Sequence, residues 1–359
     1  MTRTCVRSCL TALLLLLASH AGADGGTRPN STIPTYRAVD LGVLPGQLYS
    51  LAAGINDRGD VIGTSASNRQ NLSDQSHATL FSHGAVIDLG VPAGDTFTNG
   101  YGINDRGEGI GIVGALADPS LDPTPFAALF AGGRVLQMTS PGGGYAFGQA
   151  INRRGQGAGF GYVGTQLHAL LFDRGPVVDL GVLPGGSFSL AYALNNRGVA
   201  AGQADAGGGF THAALFDHGA VTDIDTSGNQ ESSNAEGIND AGLTVGQVQG
   251  ATYHAFLYRN GAMIDLMPPG ASYSDAAAIN NQGQIAGNAY YPASGIDYGV
   301  LWANGEIVLL DPLPGYQDST ATAINDRGQI VGYSTNPTGG WRATLWVPER
   351  RFSPPQRKP

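Results

Sequence analysis

Cysteine is nearly missing from this chain of 359 residues. The only two, Cys5 and Cys9, fall within the first ten positions. Everything after them must fold without a disulfide, and no thiol nucleophile or thiolate metal site can be built there. Lysine is scarcer still, with Lys358 alone, and charged residues of both signs make up 13% of the chain. The balance is acidic, 28 Asp and Glu against 19 Lys and Arg, with no basic stripe. That excludes a phosphate-tracking surface for nucleic acid and an electrostatic anchor on anionic lipid. One apolar run, residues 10–18, is too short to span a bilayer as a helix, and no later run approaches its length. Helical periodicity is absent. So are His-Glu-x-x-His, a nucleophile elbow and a phosphate-binding glycine loop in the right context.

The apolar run has neighbours that explain it. Arg3 and Arg7 precede it and Ala21-Gly22-Ala23 follows, the pattern of a secretory signal peptide over residues 1–23. The expected localisation is secreted, periplasmic or extracellular, with no membrane insertion after cleavage. Without Arg3 and Arg7, 17 basic residues face the 28 acidic ones. Residues 24–35 read as a flexible leader and 348–359 as a disordered tail.

Glycine is plentiful, 55 residues, and its placement is periodic. Asn56, Asn104, Asn152, Asn195, Asn239, Asn280 and Asn325 recur every 41 to 48 residues, a period seen in propeller blades and other arrays. Ile precedes the Asn in six copies and Leu in the seventh. Gly follows it at three and again at seven residues in every copy, as in Gly328 and Gly332. Asn-Asp-Arg-Gly between apolar runs is hairpin chemistry, and each Asn is expected to hydrogen-bond its own turn. A second hairpin follows in each copy, as in His254-Ala255-Phe256-Leu257-Tyr258, a turn at Asn260-Gly261, then Met263-Ile264-Asp265-Leu266.

Four short strands per repeat and seven repeats give an all-β, seven-bladed β-propeller over residues 36–347. The array opens at Tyr36 on a fourth-type strand and ends at Trp341–Trp346 on a third-type strand. Those two ends complete one antiparallel blade, so the ring closes by pairing of the N- and C-terminal strands. Residues two, four and six before each Asn are all Gly, Ala, Ser or Thr. Blades crowd together toward the axis, so this strand is innermost. Both tight turns then fall on one face of the disc. The longer crossings and the loops at 64–76, 112–125 and 288–298 fall on the other, where function usually sits.

His254-Ala255-Phe256, Ile264-Asp265-Leu266, Leu183-Pro184-Gly185-Gly186 and Ile279-Asn280-Asn281-Gln282-Gly283-Gln284-Ile285-Ala286-Gly287 together resemble the HAF-repeat family of bacterial extracellular proteins. The resemblance covers roughly residues 36–347. It implies export and a repeat array, and no established activity. Phe126 stands where the His would be, and Asp223-Ile224-Asp225 replaces Asp-Leu-Gly.

Chemistry-bearing residues are thinly spread. His77, His168, His212 and His254 occupy one place in four blades, where a ring of that radius cannot bring nitrogens to one metal. They read as structural. Asp57, Asp105, Asp240 and Asp326, in the tight turns, read as solvated single carboxylates that cannot converge on calcium. Tyr49, Phe97, Tyr145, Phe188 and Tyr273 read as packing between blades. No metal or other cofactor is expected.

The other face of the inner strand does not repeat. Asn99, Tyr101, Gln149, Tyr192, Asn234, Glu236 and Asp275 mix amides, phenols and carboxylates, as ligand pockets do. They are the ligand-binding candidates, at the channel mouth. The reading is an exported, monomeric, non-catalytic scaffold that binds a glycan polymer or a protein on its long-loop face. The alternative is a carbohydrate lyase or hydrolase at the channel mouth, with Glu236 and Asp275 as its acid–base pair.

Overall fold

A computed structural model describes residues 33–68, 75–115, 125–173, 175–228 and 231–349. The signal peptide, most of the leader and the tail beyond Glu349 lie outside the described residues. Those described form 28 strands in seven four-stranded antiparallel sheets. Blade 1 runs outward through Tyr49–Ile55, Val61–Ala66, His77–Ser82 and Ala85–Asp88. Blades 2 to 6 repeat that order. Blade 7 takes Asp318–Ile324, Ile330–Thr335 and Trp341–Glu349, and its outermost strand is Thr35–Asp40 from the other end of the chain.

Two boundaries differ from expectation. Pro348 and Glu349, assigned to the tail, still pair with Tyr36 and Thr35. Residues 288–298, read as loop, are mostly ladder, since one strand runs to Tyr291 and the next starts at Ile296. The strands beside the other two loops extend to Ala66 and Gly114, and residues 69–74 and 116–124 of those loops lie outside the described residues.

The first strand of each blade meets the first strands of both neighbouring blades. Its small residues are required there. A Cβ added to Gly54 would lie 2.7 Å from the Tyr101 carbonyl oxygen, and one on Gly102 would lie 3.1 Å from that of Gln149. The hydroxyls six residues before the Asn do more than stay small. Thr98, Ser189, Ser233, Ser274, Ser319 and Ser50 each accept a backbone N–H from the third strand of the preceding blade, at 2.9 to 3.0 Å. Ala146 leaves blade 3 without that rung.

The seven Asn residues serve two masters. Each Oδ1 accepts from its own turn, as Asn325 does from Arg327 and Gln329 at 3.1 and 3.0 Å. Each Nδ2 also donates to the carbonyl of the next Asn around the disc, at 2.9 to 3.2 Å. The last of these bonds runs from Asn325 to Asn56 and closes the circle. The side chains are about 3–4% exposed, and buried polar groups persist only when paired. Aspartate could accept as Asn does but could not donate, which explains the strict amide.

Candidate functional site

Period two does not hold along the inner strand. In every blade the register slips by one residue between the fourth and second positions before the Asn. The extra residue is Ala53, Tyr101, Gln149, Tyr192, Glu236, Ala277 or Thr322. A bulge takes its residue out of the ladder and re-aims the side chain. All seven line one cavity of about 620 Å³ on the axis. Beside them stand Leu51, Asn234, Asp275 and Thr320 from the inner strands, and Asn288 and Tyr333 from second strands.

Six of the seven residues singled out in the sequence are therefore brought together. Asn99 is not. Its Oδ1 accepts from Ser76 Oγ at 2.8 Å, and its amide is bonded to the Tyr101 phenol, so it supports the wall from behind. Sequence reasoning missed Asn288 and Tyr333. The signal was present: the residue after the second invariant Gly varies from blade to blade, reading Thr64, Ile112, Phe160, Gln203, Gln247, Asn288 and Tyr333, with Gln alone occurring twice. These pair directly with the variable inner-strand position five before the Asn, as Asp275 does with Asn288.

One side of the cavity is aromatic. Tyr192 meets Phe160 edge-on at 6.4 Å, and Phe160 stacks on Phe147 at 5.1 Å. Tyr145 continues the row 5.1 Å from Phe147 and reaches Tyr162 at 5.5 Å. Burial pushes the phenols of Tyr101 and Tyr192 up to about 12, so both stay neutral donors. Of the aromatics expected to pack between blades, Phe97 is fully buried and Tyr273 meets Tyr253 of the preceding blade at 5.6 Å.

The opposite side is acidic. Glu236 Oε1 accepts from Asn234 Nδ2 at 2.9 Å and from Gln247 Nε2 at 3.4 Å. Asp275 Oδ2 accepts from Asn288 Nδ2 at 3.4 Å. Burial first, and then the Asp275 charge, push Glu236 up from 4.5 to about 7. Burial lifts Asp275 from 3.8 to about 6 against the pull of its Asn288 bonds. Burial thus holds both carboxyls well above the usual carboxylate range.

These raised values have a sign for stability. The folded state holds protons that the unfolded state releases above 3.8 for Asp275 and 4.5 for Glu236, so stability falls as pH rises through about 4 to 7. Glu236→Gln should flatten that decline and raise stability at pH 8 by on the order of 1–2 kcal/mol. Thermal melts of both proteins at pH 5 and pH 8 check this. An equal pH slope for the two would show that Glu236 is not desolvated.

The tight-turn end of the axis carries an apolar collar and a polar rim. Ile55, Ile103, Ile151, Leu194, Ile238, Ile279 and Ile324 form a collar under the Asn circle. At its rim Asp57, Asp105 and Asp326 converge on one guanidinium. Arg153 lies 2.6 Å from Asp105 and 3.5 Å from Asp326, and bonds Asp57 directly. The expectation of separate solvated carboxylates is thus corrected. Their turns end the innermost strands, so residues 96 and 173 positions from Arg153 meet it at the axis.

The histidines behave as expected of structural residues. His77, His168, His212 and His254 each bond an Asp of the fourth strand, Asp88, Asp179, Asp223 and Asp265, at 2.7 to 3.1 Å. Thr252 Oγ1 lies 2.9 Å from His254 Nε2, completing a hydroxyl–imidazole–carboxylate line. The same His–Asp joint in three other blades marks it as a tie between strands.

No family model matches the chain, and no curated protein matches it. Solved structures do. The β-propeller domain of the Trilobed protease from Pyrococcus furiosus, described as having an open velcro topology, superposes with a TM-score of 0.52 at 11% identity, over 85% of this chain and 95% of that one. Acylaminoacyl peptidase from Pyrococcus horikoshii gives 0.51 at 11% identity, over 84% and 52%. A prolyl endopeptidase gives 0.54 at 10% identity, over 85% and 51%. The chain spans about half the length of these two peptidases. At such identities the likeness is one of fold, and the fold is the seven-bladed β-propeller.

Proposed function

We propose that this protein is an exported HAF-repeat propeller that works as a monomer and binds a glycan in the axial cavity, from the long-loop face. One observation carries the reading. Positions that repeat serve the ladder, the blade contacts or the rungs, whereas the varied bulge residues of all seven inner strands gather in a single cavity. A few polar groups among aromatic faces are what orients a sugar. The Arg153 cluster sits at the tight-turn rim, so we take the long-loop mouth as the entrance. The signal-peptide pattern supports export, and the acidic balance argues against a nucleic acid ligand.

A second reading has its own support. Glu236 and Asp275 sit on adjacent inner strands with raised proton affinities, which suits a lyase or hydrolase acting on carbohydrate. Both readings meet one experiment. The chain from residue 24 is screened on a glycan array, and Tyr101→Ala with Tyr192→Ala is then titrated with the ligand found. The expected result is a folded variant with affinity reduced roughly tenfold or more. Undiminished affinity would move the site to the outer rim. Product release by the wild type, lost in Asp275→Asn with binding intact, would select the enzyme.

A further inference from the structure

Resting on the glycan reading above, we propose that the glycan carries a free amino group, which seats as an ammonium against Glu236 and Asp275. The amide donors nearest these carboxylates are already turned toward them. Asn234 Nδ2 and Gln247 Nε2 each give a hydrogen bond to Glu236, and Asn288 Nδ2 is shared between Asp275 and the Ala321 carbonyl at 3.3 Å. Spare acceptors remain. Asn234 is 8% exposed, and its Oδ1 has no hydrogen-bond partner. Gln247 Oε1 and Asp275 Oδ1 are buried without a partner as well.

Charge points the same way. No Lys, Arg or His lines the cavity. Among the described residues neither carboxylate belongs to an ion pair, although Arg153 at the other mouth gathers three. A sugar hydroxyl carries no charge and would leave both desolvated carboxylates without a counter-ion. An ammonium has three donors and no acceptor, so it matches the unpartnered oxygens of Asn234, Gln247 and Asp275. It also supplies the positive charge that two desolvated carboxylates lack.

Proton affinity supports the geometry. Burial raises both carboxyls, so at neutral pH part of the pair is protonated in the empty cavity. An ammonium favours the ionised form, so binding should release protons and strengthen as pH rises from 5 to 7. The other titratable groups facing the pair are the phenols of Tyr101, Tyr192, Tyr273 and Tyr333 and the carboxyl of Asp297.

The test is calorimetric titration of the chain from residue 24 at pH 7. The probes are a β-1,4-linked glucosamine oligomer, its N-acetylated counterpart and a neutral glucose oligomer of equal length, with spermidine as an amine without sugar. The expected result is that the glucosamine oligomer binds roughly tenfold or more tighter than the other three. Glu236→Gln with Asp275→Asn should bring it down to the level of the neutral oligomer. Should that variant fail to fold, the ranking of probes on the wild type decides alone. Equal affinity for the three sugars overturns the ammonium and leaves the glycan reading standing. Spermidine binding as tightly as the glucosamine oligomer overturns the sugar component. Binding of none of the sugars overturns both.

Discussion

Gly332→Ala is expected to cost about 3 kcal/mol or more of unfolding free energy, or to prevent folding. Gly332 is the second invariant glycine of blade 7 and sits opposite Ala321, just beside the bulge. Its backbone is extended, so a left-handed conformation is not the reason for glycine. Space is. A Cβ at this position would lie 1.8 Å from the Thr320 carbonyl oxygen. The same collision recurs at Gly63, Gly111, Gly159, Gly202, Gly246 and Gly287, at 1.8 to 2.1 Å. Backbone must move to relieve it, and that backbone carries the cavity wall. Gly142→Ala is the control, since nothing lies within 4 Å of its added Cβ, and it should change stability by no more than about 0.5 kcal/mol. Urea unfolding of the two variants separates them. Equal midpoints would mean that the second strand does not lie against the bulge.

Removing the closing strand should have the next largest effect. Thr35–Asp40 pairs with Trp341–Glu349 along its whole length. Ile33, Tyr36 and Ala38 pack over Trp346, which is fully buried and donates its indole N–H to the Asp311 carbonyl at 2.7 Å. Tyr36 ties the strand inward through a bond to the Gly328 carbonyl at 3.0 Å. A chain beginning at Gly42 loses these contacts and bares a strand edge. It should lose ~5 kcal/mol or more relative to a chain beginning at Asp24. A chain ending at Arg350 keeps the pairing and should melt with the longer form. Equal melting temperatures for the chains starting at residues 24 and 42 would rule out closure by this strand.

The ring was legible because periodic residues report demands that all blades share. Asn56 to Asn325, the two glycines and the small inner-strand face specified seven blades, the inner strand and the closing pair. The unrepeated face pointed to the cavity, and Tyr101, Gln149, Tyr192, Asn234, Glu236 and Asp275 meet there. Asn99 shares that face, yet Ser76 draws it outward, and no spacing announces such a partner. Arg153 shows the limit from the other side. It stands where other copies carry Asp or Asn, and its carboxylate partners are chosen by ring closure, far from it in sequence. The bulge hid for a related reason, since one extra residue in every copy leaves the repeat intact while shifting the register.

The Asn circle has a consequence for how such chains can grow and diversify. Every blade brings one amide to give and one carbonyl to receive, and all seven bonds point the same way round. A blade is thus an interchangeable part with a plug and a socket, and duplicating or deleting one would leave every joint matched. The next position out is less permissive. There Asp57, Asn196, Asp240, Asn281 and Asp326 repeat the plug-and-socket scheme with their own backbones, and Asp105 receives from Asp57. Arg153 cannot receive, so the bond from Asp105 is missing. Its long side chain reaches back over three blades instead. That one residue gives an otherwise anonymous circle a fixed starting point. Blades exchanged far from Arg153 should be accepted, whereas blade 3 can move only in the company of blades 7, 1 and 2.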